Sequence, residues 1–277
     1  MTADPPGHYS RPGPFTRLGP GQAALLEGLP DDPVEVCAAV QALVVQPADA
    51  ARLGLPGERI AEKDIRPVSA LIAALTDLAP APLHHPRSPE HRVVGTCRHF
   101  ATLACALLRA RGVPARARCG FGTYFAEGRG LDHWITEYWH AGDGRWVRVD
   151  TEHLGNGYVD HPEDLAPGEF LTGGEAWVRY RAGLIDPGTF GVAGTEHAWG
   201  AHEISGNAVR DLAALCKHEM LNWDEWGRMT EAYEGGTGPE YDLLLDRLAG
   251  TCAGGDPDAL ARLFTDPHFT VPRRLTG

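Results

Sequence analysis

An α+β fold is what the sequence predicts, and three patterns predict it. Phe100, Leu103, Ala104, Leu107 and Leu108 recur at helical spacing behind Cys97, so a helix runs from there to Gly112. Asp132–Trp139 and Arg145–Asp150 alternate as two strands around His140-Ala141-Gly142-Asp143, a hairpin connection. Beyond residue 170 the patterns are again helical, with Val209, Leu212, Ala213 and Cys216 on one face of a helix over 204–220.

The remaining elements follow in chain order. Residues 1–20, rich in Pro and Gly, read as a flexible arm. Gln22–Leu29 is helical, and Asp32–Val45 is a second helix, opened by an Asp-Asp cap ahead of Pro33. Asp64–Leu78 is a third, with Val68, Leu71, Ile72 and Leu75 on one face. Ala79–His91 is loop; its histidines, His84, His85 and His91, lack Cys or carboxylate partners at ligand spacing, so an exposed linker is the better reading than a metal site. Val113-Pro114 starts an extended run, Ala115–Phe125. In the second half, turns fall at 170–174 and 186–191, a helix runs towards Arg181, and further helices span Tyr241–Leu248 and Pro257–Phe264.

A chain of 277 residues with 43% hydrophobic residues has the material for a sizeable core. Its formal charge of −12 argues against nucleic acid or an acidic membrane surface as a partner, since both are bound through clustered Lys and Arg. No run approaches the roughly 18 apolar residues of a membrane span, and Met1–Pro20 has no apolar core of a secretion signal. Six scattered cysteines without CxxC pairs suit reduced thiols. The expected setting is a soluble, cytoplasmic protein.

Chemistry concentrates between 95 and 150. A helix starting after Gly95 puts Cys97 in its first turn, where free backbone N–H groups and the positive end of the dipole favour a thiolate, the reactive form of cysteine. If four residues, His140–Asp143, form the hairpin loop, Trp139 opposes Gly144. That register sets His133 opposite Asp150 on one face, with Cβ atoms about 5 Å apart. A carboxylate beside an imidazole fixes its tautomer and stabilises its charged form. The same register makes Glu137 diagonal to Arg148, an ion pair, and puts Trp134, Thr136 and Tyr138 on the core face with Val147 and Val149. Taken singly, a cysteine at a helix start or a histidine on a strand is more often structural; together, in this order, they read as the nucleophile, base and orienting acid of a triad.

Gly95-Thr96-Cys97-Arg98-His99-Phe100-Ala101, then Leu108–Arg116, Asp132-His133-Trp134 and Trp146–Thr151 resemble the transglutaminase-like superfamily over roughly residues 93–152. The resemblance implies a stand-alone bacterial member with a papain-like core, in which a cysteine on a helix N-terminus packs on an antiparallel sheet. By position it makes Cys97 the nucleophile, His133 the base and Asp150 its orienter. His99 stands where the family usually has an acidic residue, and Trp134 where a small residue commonly follows the histidine. The backbone N–H of Cys97 is expected in the oxyanion hole; no residue among the first ninety is identifiable as a second donor.

The implied reaction is cysteine-dependent acyl transfer or hydrolysis at an amide, ester or thioester carbonyl, through a Cys97 acyl-enzyme resolved by water or an amine. The acyl donor is read as a small molecule or peptide. No cofactor is needed; some members of the family use calcium, but no acidic loop here has that spacing. Trp134, Arg116 and Trp177 are candidate substrate contacts, although a solvated strand face is the plainer reading of Arg116. Aromatics with Glu175, Arg179, Arg181, Arg210 and Asp224 are candidates for lining a pocket, although packing is the first reading of Trp177, Trp199, Trp223 and Trp226. The resulting division is a flexible arm over 1–20, N-terminal helices plus a transglutaminase-like catalytic core over 21–152, and a mostly helical extension over 153–277, covering the active site. Two rival readings stand beside the enzyme: a catalytically silent transglutaminase-like binding module, and a metal-binding protein using the thirteen histidines and Glu203.

Overall fold

The computed structural model describes residues 5–276. In chain order the helices are α1 (Pro5–Tyr9), α2 (Pro33–Gln41), α3 (Pro47–Arg52), α4 (Val68–Leu78), α5 (Cys97–Ala110), α6 (Gly173–Arg181), α7 (Ala201–Leu215), α8 (Met229–Tyr233), α9 (Pro239–Gly254), α10 (Pro257–Phe264) and α11 (Arg273–Thr276). The strands are β1 (Val44–Val45), β2 (Val93–Val94), β3 (Ala115–Gly122), β4 (Gly130–His140), β5 (Arg145–Val149), β6 (Phe170–Thr172) and β7 (Phe190–Gly191). Helices and an antiparallel β5-β4-β3-β6 sheet make the fold α+β. Among the described residues, no helix is long and apolar enough to cross a membrane.

Contacts divide the chain into two units, neither bounded at residue 152. One comprises Pro6–Ala117 and Ile135–Leu165, the other Arg118–Trp134 and Ala166 onward.

The first unit is built on α5. Every residue from Cys97 to Arg109 is buried, so this helix has no solvent face and the apolar stripe seen in the sequence understates it. A helix buried on all sides must satisfy its polar side chains internally, and each one here has partners. Arg98 donates to the Arg66 carbonyl (2.8 Å) and lies over the Phe15 ring. Arg109 donates to the Ala115 carbonyl (2.8 Å) and to Thr16 Oγ1 (2.6 Å). These bonds explain a departure from expectation. The described part of the anticipated flexible arm, 5–20, is anchored: Phe15 and Thr16 are buried on α5, and Tyr9 is fully buried edge-on to Trp146. Residues 1–4 of that arm lie outside the described residues.

Around α5, helix α2 starts where the Asp32 side chain accepts the N–H groups of Val34 and Glu35. It stops at Gln41, short of the expected Val45, because Val44-Val45 is taken into a parallel pair with Val93-Val94. α4 buries Val68, Leu71, Ile72 and Leu75, the face its spacing predicts. Gln22–Leu26 is a 3-10 turn.

The β4–β5 hairpin has a four-residue loop, Ala141–Gly144, closed between His140 and Arg145. That loop starts one residue later than the sequence suggested, with Gly144 at φ +62° as its left-handed member. The pairing is therefore Trp139↔Trp146 and Glu137↔Arg148, two residues from the expected register, and the ladder ends at Thr136↔Val149, so it does not set His133 opposite Asp150 as the sequence suggested. A slip of two preserves the faces, so Thr136, Tyr138, Val147 and Val149 still point into the core.

In the second unit, α6 packs on α7 and α9, and α7 also touches α8 and α10. Thr172 and Glu175 cap α6 reciprocally (3.2 and 2.8 Å). Gly173 is required there, since a Cβ would collide with the backbone of Asn207 and Ala208 in α7. Phe121 pairs with Leu171 in the antiparallel β3–β6 ladder, and Gly130 with Phe190 in the parallel β4–β7 pair.

Candidate active site

Cys97 is the first residue of α5 and is almost wholly buried. The preceding segment is held rigidly: the Gly95 N–H donates to the Val45 carbonyl (2.9 Å), and a Cβ on Gly95 would press on His99 Cβ (2.8 Å). Thr96 is the N-cap, extended at φ −90° and ψ 177°. His99, at the third helical position, accepts the Thr96 N–H at Nδ1 (3.0 Å) and meets the Ile65 carbonyl through Nε2 (3.0 Å). With Nδ1 accepting, Nε2 is the donor, so the ring is neutral in this role. Burial, aided by the neighbouring Arg98 charge, pushes its pKa down to about 3. The unusual histidine thus does what an acid at this position does, closing the cap of the helix that begins at Cys97, and does it uncharged.

Asp150 follows β5 and is fully buried. Its own N–H donates to the Pro162 carbonyl (2.8 Å). Oδ1 accepts the N–H groups of Glu152 and His153 (both 3.2 Å), and Oδ2 meets His153 Nδ1 (3.0 Å). Thr151 hydrogen-bonds Thr136 through their hydroxyls (2.8 Å). The backbone here is pinned by Gln41, whose amide donates to the carbonyls of Glu152 (2.8 Å) and Leu154 (2.7 Å). Glu152 Oε1 accepts from Gln46 Nε2 (2.7 Å) and lies 3.7 Å from His153 Nε2. A Glu152 carboxylate oxygen lies within 4.8 Å of Cys97 Sγ. The imidazole of His153 stacks edge-on to Tyr158.

His133 belongs to the second unit, on β4, where it is buried with its ring edge-on to Phe125 at 5.0 Å. Its neighbour Asp132 accepts from Asn207 (2.8 Å) and Asn222 (2.8 Å). Asn207 also donates to the Gly120 carbonyl (3.2 Å). Asp211 takes a bidentate pair from Arg118 (2.9 and 2.8 Å) and the Cys119 N–H (3.1 Å). Arg210 is bonded to Glu203 (3.2 Å) and Asn207 (3.0 Å), and Tyr233 donates to Glu203. This buried polar array ties α7 to the β3–β4 segment carrying His133.

Of the three candidate catalytic residues, then, Cys97 and Asp150 lie in one unit and His133 in the other. The candidate substrate contacts are engaged internally. Arg116 donates to Glu137 Oε2 (2.6 Å), with its guanidinium stacked on Trp146 at 4.1 Å; Glu137 in turn holds Arg148 (3.0 Å), its direct cross-strand partner. Trp177 is buried in α6 and donates to Asp246 (2.8 Å). Trp134 is buried beside His133. Arg210, Glu175 and Asp224, read as possible pocket residues, serve the α7 array, the α6 cap and the Leu221 turn (2.8 Å) respectively.

Glu152, His153 and Gln46 were not singled out by sequence. An Asp-x-x-His spacing after a strand was the available signal for His153. None existed for Gln46, which reaches Glu152 across 106 positions.

The profile of the transglutaminase-like superfamily matches residues 78–151, a span containing Cys97, His133 and Asp150. Over those residues the chain is similar to the transglutaminase-like superfamily. The transglutaminase-like segment thus starts at the end of α4 and runs through α5 and the hairpin, with Asp150 one residue from its limit. No curated protein and no solved structure matches the chain.

Proposed function

We propose that the protein is a cysteine-dependent acyltransferase or hydrolase with a papain-like core, acting on a small-molecule or peptide acyl donor. Cys97 thiolate attacks an amide, ester or thioester carbonyl, and His133 takes the thiol proton and returns it to the leaving group. Asp150 orients His133. The acyl-enzyme is resolved by water or an amine. The observation that carries this reading is Cys97 at the first position of a helix buried from Cys97 to Arg109 inside the segment similar to transglutaminases. First-turn N–H groups of a helix have no intrahelical acceptor, which suits them to a thiolate and to the oxyanion that follows its attack. Asp150 is fully buried, accepts the N–H groups of Glu152 and His153 and meets the His153 ring, contacts that hold its carboxyl group in one place, as the orienting role requires.

The test is intact mass after limiting iodoacetamide at neutral pH, on the unsubstituted protein, Cys97→Ala and His133→Ala. One fast alkylation that vanishes in Cys97→Ala and slows at least tenfold in His133→Ala is the expected result. Alkylation of Cys97 at the rate of free cysteine, indifferent to His133, would instead favour a silent binding module.

A further inference from the structure

Beside Cys97, in the first unit, lies a cleft of about 580 Å³ lined by Gln46, Asp49, Arg92, Phe100, Glu152 and Tyr158, among others. That volume falls in the range of small-molecule sites, roughly 300–1,000 Å³. Its lining is charged rather than greasy, and the charges belong to different parts of the chain. Glu152 brings a carboxylate within 4.8 Å of Cys97 Sγ and is fixed there by Gln46. Phe100, one helical turn beyond Cys97, adds an apolar patch.

Arg92 supplies the opposite sign. It immediately precedes β2, and its Nε is tied to the Arg87 carbonyl (2.8 Å) while Arg59 donates to its own carbonyl. Arg87 is itself buried on the Ala79 and Ala81 carbonyls (2.8 and 3.0 Å), so the anchor is firm. A guanidinium held through Nε keeps its terminal nitrogens for a planar anion. The second cation of the lining, Arg52, is exposed and paired with Asp49 (2.8 Å), which leaves Arg92 as the better carboxylate receptor.

Resting on the acyl-enzyme reading above, we propose that this cleft is the acceptor subsite and that it takes an amino-acid zwitterion, its ammonium at Glu152 and its carboxylate at Arg92. A carboxylate next to the sulfur does nothing for a thiolate, since like charges oppose one another. It does suit a cationic nucleophile waiting on the thioester. Glu152 takes one proton from the ammonium, and the freed amine attacks the acyl carbonyl. The new C–N bond forms as the C–S bond breaks, and the second nitrogen proton goes to the departing sulfur. The products are an N-acyl amino acid, the Cys97 thiol and a protonated Glu152, which returns its proton to solvent.

Binding and chemistry are tested separately. Isothermal titration of the Cys97→Ala protein with the free L-amino acids, one by one, needs no acyl transfer. At least one should bind, and its α-amide and its N-acetyl form, each lacking one charge, should bind at least about tenfold more weakly, or 1.4 kcal/mol. Glu152→Gln and Arg92→Met, each in the Cys97→Ala background, should weaken the free amino acid to a similar degree. Arg92→Met should no longer distinguish it from its α-amide. Absence of binding by every free amino acid, or equal binding of all three forms, overturns the proposal. If either substituted protein fails to fold, the series of three ligand forms on the Cys97→Ala protein still decides. A negative result here leaves Cys97 alkylation untouched, and slow alkylation there leaves amino-acid binding untouched, so the two readings fail separately.

Discussion

His99 shows how one residue can hold a helix start without charge. The same arrangement makes it a source of acid sensitivity. Its pKa is about 3 in the folded protein and about 6.5 in an unfolded chain. Between these values the unfolded state binds a proton that the folded state refuses, so stability present above pH 6.5 is lost as pH falls towards 3. The slope from this one group is at most about 1.4 kcal/mol per pH unit. His99→Gln retains an acceptor for the Thr96 N–H and a donor for the Ile65 carbonyl, and removes the titration. Urea midpoints measured across that window should fall less steeply in the variant than in the parent; parallel curves would mean His99 is protonated in the fold. The sequence exposed this residue only as an oddity. The motif Gly95-Thr96-Cys97 was readable because a local helix pattern carries it, whereas Asp150 was reached through a register that the hairpin does not keep. The partners His153, Glu152 and Gln46 were not, because they meet through long-range packing that leaves no period in the chain.

At the level of elements, the helical second half was anticipated well where patterns are local. The turn into α6 and the bounds of α10 were legible from capping residues and Pro positions. What a pattern could not reveal is how α7 is attached. Arg118 and Asp211 are both buried, 93 positions apart, and Asp211 also holds a strand N–H. Asp211→Ala strips a buried guanidinium of its bidentate partner, and the expected loss is about 3–5 kcal/mol. Asp242→Ala, which removes one arm of the half-exposed Arg181 pair, should cost under about 1 kcal/mol. Denaturant unfolding of both variants checks the contrast, and comparable losses would show that the Arg118 pair is solvated. The hairpin teaches a related lesson. Its strands and loop length were legible, but the loop begins at Ala141 because the left-handed residue is Gly144, and this moved every cross-strand pair by two. Glu137 thereby sits directly between two arginines, an arrangement that occupies Arg116 and removes it from the surface.

For the molecule as a whole, the net charge of −12 sets a field that any approaching reagent feels before it reaches a thiol. Iodoacetate and iodoacetamide differ mainly in charge. Relative to free cysteine, Cys97 should therefore discriminate against iodoacetate at low ionic strength, and the discrimination should shrink as salt is raised from about 10 mM to about 500 mM, where screening shortens to a few ångströms. Discrimination that salt does not change would trace instead to the carboxylate of Glu152 at short range. Composition made the sign of this field plain from the start.

The burial of α5 on every side has a consequence for how such a protein can change. The surroundings of Cys97 cannot be tuned by swapping its neighbours along that helix, because each swap at 97–109 disturbs packing. Variation in what the neighbouring cleft accepts must enter through the segments that line it, such as 46–52 and 152–158. The helix and the cleft lining are therefore separable by mutation. Libraries confined to those two segments should yield folded proteins with altered ligand preferences far more often than libraries of the same size placed in α5.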